Sequence, residues 1–111
     1  MYRLTLNRVH DRVLIEEGGE QLRLYVDGDP MRMVAALTDA RGTLKGISEK
    51  SAPEERTAAA TQFAAAMFGP DQARELLDFY HGDPTCVIAV CVKYFSQRLF
   101  KLIEKAQKHA K

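Results

Sequence analysis

The spacing of apolar residues changes near residue 28, and this change restricts the chain to a mixed fold. Up to residue 27, apolar residues alternate with polar ones, most clearly in the runs 2–6 and 22–26. Alternation is typical of strands that bury one face. After residue 28, apolar residues recur every three or four positions, as they do in helices. The sequence therefore predicts an α+β protein, with a β segment over 1–27 and a helical part over 29–111.

The β segment is predicted to be a small antiparallel sheet, either a hairpin or three strands. The polar pair His10–Asp11 is interpreted as a turn, and Val13–Ile15 as the strand after it. Gly18–Gly19 supplies the positive φ angles that a tight reversal needs. Because three short strands are marginally stable alone, we expect the sheet to rest on helices.

About four helices are predicted, and each start carries a local signal. Asp29–Pro30 and Asp83–Pro84 pair a capping residue with a proline at the first helical position, and Gly69–Pro70 ends one helix and opens the next. Ser51–Glu54 has the form of a capping box. The first helix should bury a stripe formed by Met33, Leu37, Ala40, Leu44 and Ile47.

The third predicted helix, over residues 71–80, is expected to turn its apolar side inward and to carry an ion pair between Arg74 and Asp78 on its surface. The inward residues are Ala73, Leu76, Leu77 and Tyr80.

The last helix is predicted to be long, from residue 84 to about 109. Its first two turns are apolar all round, so we expect them in the core. Beyond Lys93 it becomes amphipathic, and its apolar stripe can either pack within its own subunit or bind another polypeptide. The candidate interaction face consists of Phe95, Leu99, Leu102, Ile103 and Ala106, with a basic rim of Lys101, Lys105 and Lys108.

Length and composition exclude several classes of protein. A chain of 111 residues suits one domain, and 46% hydrophobic residues are too many for a disordered chain. The longest apolar run, Cys86–Val92, has seven residues, whereas a membrane span needs ~20. The charged, alternating N-terminus does not resemble a signal peptide, so a cytoplasmic protein is expected.

Charge is segregated along the chain. Residues 53–83 carry two basic and six acidic side chains, whereas residues 84–111 carry six basic and one acidic side chain. An acidic middle and a basic end can attract each other within one molecule or between copies. A basic final helix also leaves open a second hypothesis, a small nucleic-acid-binding regulator.

No residue pattern predicts catalysis, a cofactor or a metal site. Cys86 and Cys91 lie five residues apart, on different helix faces and at no zinc spacing, and are interpreted as small apolar residues. His81 and Cys86 are the nearest approach to a catalytic dyad, but a Gly-Asp-Pro break separates them. Neither His10 nor His109 has a partner at ligand spacing. The acid pairs Glu16–Glu17 and Glu54–Glu55 are interpreted as solvated charges.

The order of segments from residue 22 onward resembles a known family. A short β segment, LRLYVDGD, precedes a helix, MRMVAALTDARGTLKGI, and then an acidic spacer. The next helix runs into a Phe68–Gly69 stop and a short helix over 71–80. A DFYHGDP junction then leads to a long final helix ending in lysines. This layout, over about three quarters of the chain, resembles the tail assembly chaperones of long-tailed siphophages and prophages.

The resemblance implies a non-enzymatic role. Such chaperones coat the tape-measure protein, keep it soluble and recruit tail-tube proteins in the host cytoplasm. They self-associate, and they are absent from the mature virion. The resemblance carries over no binding residues. The N-terminal strands, residues 2–16, depart from the shared layout and leave open an added hairpin of different purpose.

Overall fold

A β-hairpin is followed by helices in chain order. The computed structural model describes residues 8–48 and 50–109, with side chains up to residue 106. The bounds of the elements are β1 Val9–Glu17, β2 Glu20–Gly28, α1 Pro30–Lys45, α2 Pro53–Phe68, α3 Pro70–Phe79, α4 Pro84–Tyr94 and α5 Phe100–His109. A π-helical turn over Phe95–Leu99 joins α4 to α5. The predicted α+β class is confirmed.

The hairpin has two antiparallel strands in an unbroken register from Val9 opposite Gly28 to Glu17 opposite Glu20. Gly18 and Gly19 close it with φ angles of 56° and 85°, as the sequence predicted. The prediction of a turn at His10–Asp11 was wrong, because Val9 already lies in the core and the strand begins there. The predicted strand at 2–6 lies outside the described residues.

Two of the predicted helix caps are confirmed, and one is wrong. The Asp29 carboxylate accepts a bond of 2.9 Å from the Met31 N–H, and Asp83 does the same for Thr85. The predicted cap at Ser51 does not form, because Ala52 is the N-cap of α2. Ser51 Oγ instead accepts a bond of 2.9 Å from the Ser48 N–H and closes the turn before the helix.

Gly69 separates α2 from α3 with φ 86° and ψ 160°. This backbone region is accessible essentially to glycine alone. The helix it opens turns Ala73 and Leu76 into the core, with Leu77 and Tyr80 half-buried. The predicted ion pair between Arg74 and Asp78 does not form, since Arg74 Nη2 bonds Asp71 Oδ1 at 2.9 Å, one turn nearer the N-terminus.

The core is centred on the alanine-rich helix α2, which packs against α1, α3, α4 and β2. Small side chains let these elements approach closely, and a few large ones fill the spaces between them. The largest fully buried side chains are Leu24, Leu76, Leu99, Val26, Val87 and Cys91.

The prediction that the first turns of α4 lie wholly in the core was wrong. Val87 and Cys91 are fully buried, but Ala89 is exposed and half of the Val92 side chain is accessible. The physical reason is that α4 packs mainly on α2 and only slightly on α3, so one side of it remains uncovered.

Candidate functional site

The apolar face predicted on the last helix is divided between the core and the surface. Ile103 and Ala106 are buried because α5 packs against α1 and β1, and Leu99, the last residue of the π turn, is fully buried as well. These three residues are therefore not accessible to a partner. The other two members of the predicted face, Phe95 and Leu102, are half-buried and stay within reach of one.

A neighbouring apolar surface is exposed at the π-helical turn. The Phe100 N–H donates to the Phe95 carbonyl, five residues back, and the two rings lie 6.2 Å apart between centroids. The Phe100 side chain is 53% accessible and the Val92 side chain 50%. Val92 lies one helical turn before Phe95, so the three side chains adjoin. We call Val92, Phe95 and Phe100 the π-turn patch.

This patch is not predicted from the sequence, because residues 84–109 are interpreted there as one regular α-helix without a π turn. In a regular helix, residues five apart point to different faces, whereas the widened π turn aligns Phe95 with Phe100. The available signal was the phenylalanine pair itself, five residues apart on a helix predicted to be long.

Basic residues lie next to members of the π-turn patch in the sequence. Lys93 adjoins Val92, Lys101 adjoins Phe100, and Lys105 follows one turn later; all three are exposed. Glu104 is the acidic residue among them. The Lys108 side chain, predicted as part of the basic rim, lies outside the described side chains. An apolar patch edged by lysines favours an apolar partner surface with acidic neighbours.

A polar cluster holds the hairpin against the π turn. Both Asp11 oxygens accept bonds from Arg98, at 3.0 and 3.1 Å, and the Tyr94 hydroxyl donates to Asp11 at 3.0 Å. The bond from Arg98 holds the pKa of Asp11 below its usual value. Burial, together with the bond to Asp11, raises the pKa of the Tyr94 hydroxyl. The cluster is satisfied internally, so its groups serve to position elements.

Neither cysteine is activated as a nucleophile. Burial raises the pKa of the Cys91 thiol to about 12. The Cys86 thiol donates to Asp83 at 3.4 Å, and this bond raises its pKa. Because the thiolate is the reactive form, both groups are poor nucleophiles near neutral pH. His81, the other half of the predicted dyad, lies in the turn after α3 with φ 57°.

Two open clefts flank the hairpin. One, of about 380 Å³, is lined chiefly by Tyr25, Met33, Met67, Phe68 and Gln72. The other, of about 550 Å³, lies over the outer hairpin face beside His10, Arg12 and Tyr25. Asp27 lines both, and its Oδ1 lies 3.3 Å from both Arg8 Nε and His10 Nδ1.

Over the described residues, no group of three or more His, Cys, Asp or Glu side chains is arranged to hold a metal ion. No helix in that part of the chain is long and apolar enough to cross a bilayer. Comparison of the chain with protein-family models, curated proteins and solved structures finds no match.

Proposed function

We propose that this protein is a non-enzymatic assembly chaperone of a phage or prophage tail. In this proposal it binds the tape-measure protein, keeps it soluble and recruits tail-tube subunits. It acts in the host cytoplasm and leaves before the virion is complete. The proposal joins the resemblance of the segment order with one structural observation, the exposed π-turn patch.

The π-turn patch supports binding to another polypeptide because it leaves large apolar side chains in water. Val92 and Phe100 are each about half accessible, although buried positions exist on both sides of them in the same helix. Contiguous apolar surface edged by polar residues marks interaction sites in soluble proteins. Aromatic side chains of this kind supply much of the binding energy of such sites.

The chemistry of the patch suits a helical client. An amphipathic helix presents apolar side chains at spacings of three and four residues, which match the spacing of Val92 and Phe95. Lys93, Lys101 and Lys105 are exposed beside the patch and favour a client with acidic residues along the edges of its apolar stripe.

The test is co-expression of the protein with a helical fragment of a candidate phage tape-measure protein. The expected result is that the protein keeps the fragment soluble and co-purifies with it. Phe100→Ser should weaken binding by roughly tenfold, because it removes an aromatic anchor. Val34→Ser, on the exposed side of α1, is the matched control and should bind as well as the unchanged protein.

Two results would contradict the proposal. The first is an insoluble fragment in the presence of the protein. The second is equal client binding by Phe100→Ser and the unchanged protein. Salt-dependent binding of DNA that is lost when Lys101 and Lys105 become Gln would instead favour the nucleic-acid hypothesis.

A further inference from the structure

The outer edge of β2 is covered by the side chain of Gln72. The Gln72 side-chain amide accepts a bond of 2.7 Å from the Tyr25 N–H and donates one of 2.6 Å to the Tyr25 carbonyl. It therefore occupies the place that a third strand would take beside β2. A third bond, of 2.6 Å to the Phe68 carbonyl, fixes the amide in this position.

The same bonds fix the direction of the backbone groups of β1. The backbone N–H and carbonyl of Tyr25 both bond Gln72 on the outer edge of β2. Tyr25 therefore exchanges no backbone hydrogen bond with Arg12, the residue opposite it on β1. In an antiparallel pair such positions alternate with bonded ones. The N–H and carbonyl groups of Arg12, Leu14 and Glu16 therefore point away from β2, to the outer edge of β1, where the Arg12 N–H also interacts with the Asp11 carboxylate.

This edge has the properties of a strand that pairs. In the described part of the chain, no strand other than β2 is paired with β1. The strand has nine residues, no proline and no break in register. Leu14 is 49% accessible on its outer face, between the exposed Arg12 and Glu16. A long, regular, unpaired edge is a template for another strand.

We propose that the outer edge of β1 pairs with β1 of a second copy of this chain, to give a four-stranded antiparallel sheet. The charges select the register. With Leu14 opposite Leu14 of the second copy, Arg12 faces Glu16 of that copy, and this pair occurs twice. Within one hairpin, Arg12 faces Tyr25 and Glu16 faces Gln21, so neither charge is paired across the strands there.

The side chains on the inner face of β1 are compatible with the same register. Val13 comes opposite Ile15 of the second copy, an apolar pair. Asp11 comes opposite Glu17 of the second copy, but Arg98 already neutralises Asp11 through two bonds. A register centred on Val13 instead places Arg12 opposite Leu14 and pairs no Arg with a carboxylate. The pairing rests on β1 alone, whichever client the protein binds.

Sedimentation of the full chain over a concentration series tests the pairing. We expect a dimer that Arg12→Glu weakens by roughly tenfold to a hundredfold, because two attractive pairs become repulsive. The double change Arg12→Glu with Glu16→Arg should restore the dimer to within about threefold, because the pairs are only reversed. Arg23→Glu, on the outer face of β2, is the matched control and should leave the dimer unchanged.

Cross-linking tests the register. In a Cys86→Ser background, Leu14→Cys should form a disulfide with its own copy, because opposite Cα atoms lie ~5.5 Å apart. Arg12→Cys should not, because four residues along the strands separate the two copies of position 12 by ~13 Å. A mixture of Arg12→Cys and Glu16→Cys proteins should cross-link.

Three results would overturn the proposal: a monomer at every concentration, a dimer indifferent to Arg12→Glu, and a dimer that Leu14→Cys does not cross-link. A monomer at every concentration is also the result expected if another part of the same chain covers the outer edge of β1. Because the π-turn patch lies on another element, client binding by the Arg12→Glu protein is measured separately. A failed dimer with intact client binding would reject this pairing alone.

Discussion

Arg98 and Asp11 are joined by two parallel hydrogen bonds, of 3.0 and 3.1 Å, although 87 residues separate them in the sequence. The Asp11 side chain is only 11% accessible, whereas the Arg98 side chain that bonds it is 58% accessible. The two bonds tie the first strand to the π turn of the last helix, and so the two ends of the described chain are fastened together.

Asp11→Ala should lower the free energy of unfolding by about 1–3 kcal/mol, because it removes these bonds and leaves the Tyr94 hydroxyl without its acceptor. Urea unfolding followed by circular dichroism measures the change. Asp27→Ala is the control on the same hairpin and should cost less than about 0.5 kcal/mol, since its ion pairs are exposed. Equal effects of the two substitutions would show that the bonds to Asp11 contribute no more than an exposed ion pair does.

Stability should decrease on acidification because of Asp11. The bond from Arg98 lowers the pKa of Asp11 in the folded protein, so below about pH 5 the unfolded chain binds the proton more readily. The contribution of Asp11 is fully present above its unfolded pKa of ~3.9 and is lost as the pH falls through its folded pKa. Urea unfolding between pH 6 and pH 3 should show a shallower pH dependence for Asp11→Asn than for the unchanged protein.

Gln72→Ala should expose the edge of β2. The variant loses two bonds to Tyr25 and one to Phe68, and we expect a loss of about 1–2 kcal/mol in the free energy of unfolding. Hydrogen exchange at the Tyr25 amide should accelerate. Gln62→Ala, on the exposed side of α2, is the control, and an unchanged Tyr25 exchange rate in the Gln72 variant would contradict the expectation.

Gly69 and Gly42 should respond to alanine with opposite signs. Gly69 has φ 86°, so Gly69→Ala should destabilise the protein by about 1–3 kcal/mol. Gly42 lies inside α1, and an alanine methyl group there would meet no neighbouring element within 4 Å, so Gly42→Ala should stabilise by up to about 1 kcal/mol. Thermal melts of the two variants measure both changes in stability. Melting temperatures that shift in the same direction would contradict the different backbone requirements inferred for Gly69 and Gly42.

Local signals were sufficient to predict most of the elements. The helix starts at Pro30, Pro70 and Pro84 follow from a capping residue or a glycine beside a proline, and the hairpin turn follows from two adjacent glycines. Such signals act over a few residues, through the φ angles and the hydrogen bonds of the nearest neighbours. Ser51 is the exception, because its hydroxyl bonds the Ser48 N–H, a competing local partner that the spacing of residues does not reveal.

The candidate site was only partly predictable. The last helix was correctly identified as amphipathic, and Phe95 belongs both to the predicted face and to the π-turn patch. The same spacing predicts Leu99 and Ile103 on that face, but both are buried, Ile103 where α5 packs against α1 and β1. Nothing in the sequence of the last helix says which of its sides other elements will cover.

The sequence by itself determined the order of the elements, most of their boundaries and the apolar face of each, because these depend on backbone preferences and residue spacing within one segment. Only the tertiary structure decided which apolar faces are buried. The same holds for the Asp11–Arg98 pair, the Gln72 cover on β2 and the unpaired edge of β1. These features depend on the relative placement of segments far apart in the chain, and the packing of the whole molecule sets that placement.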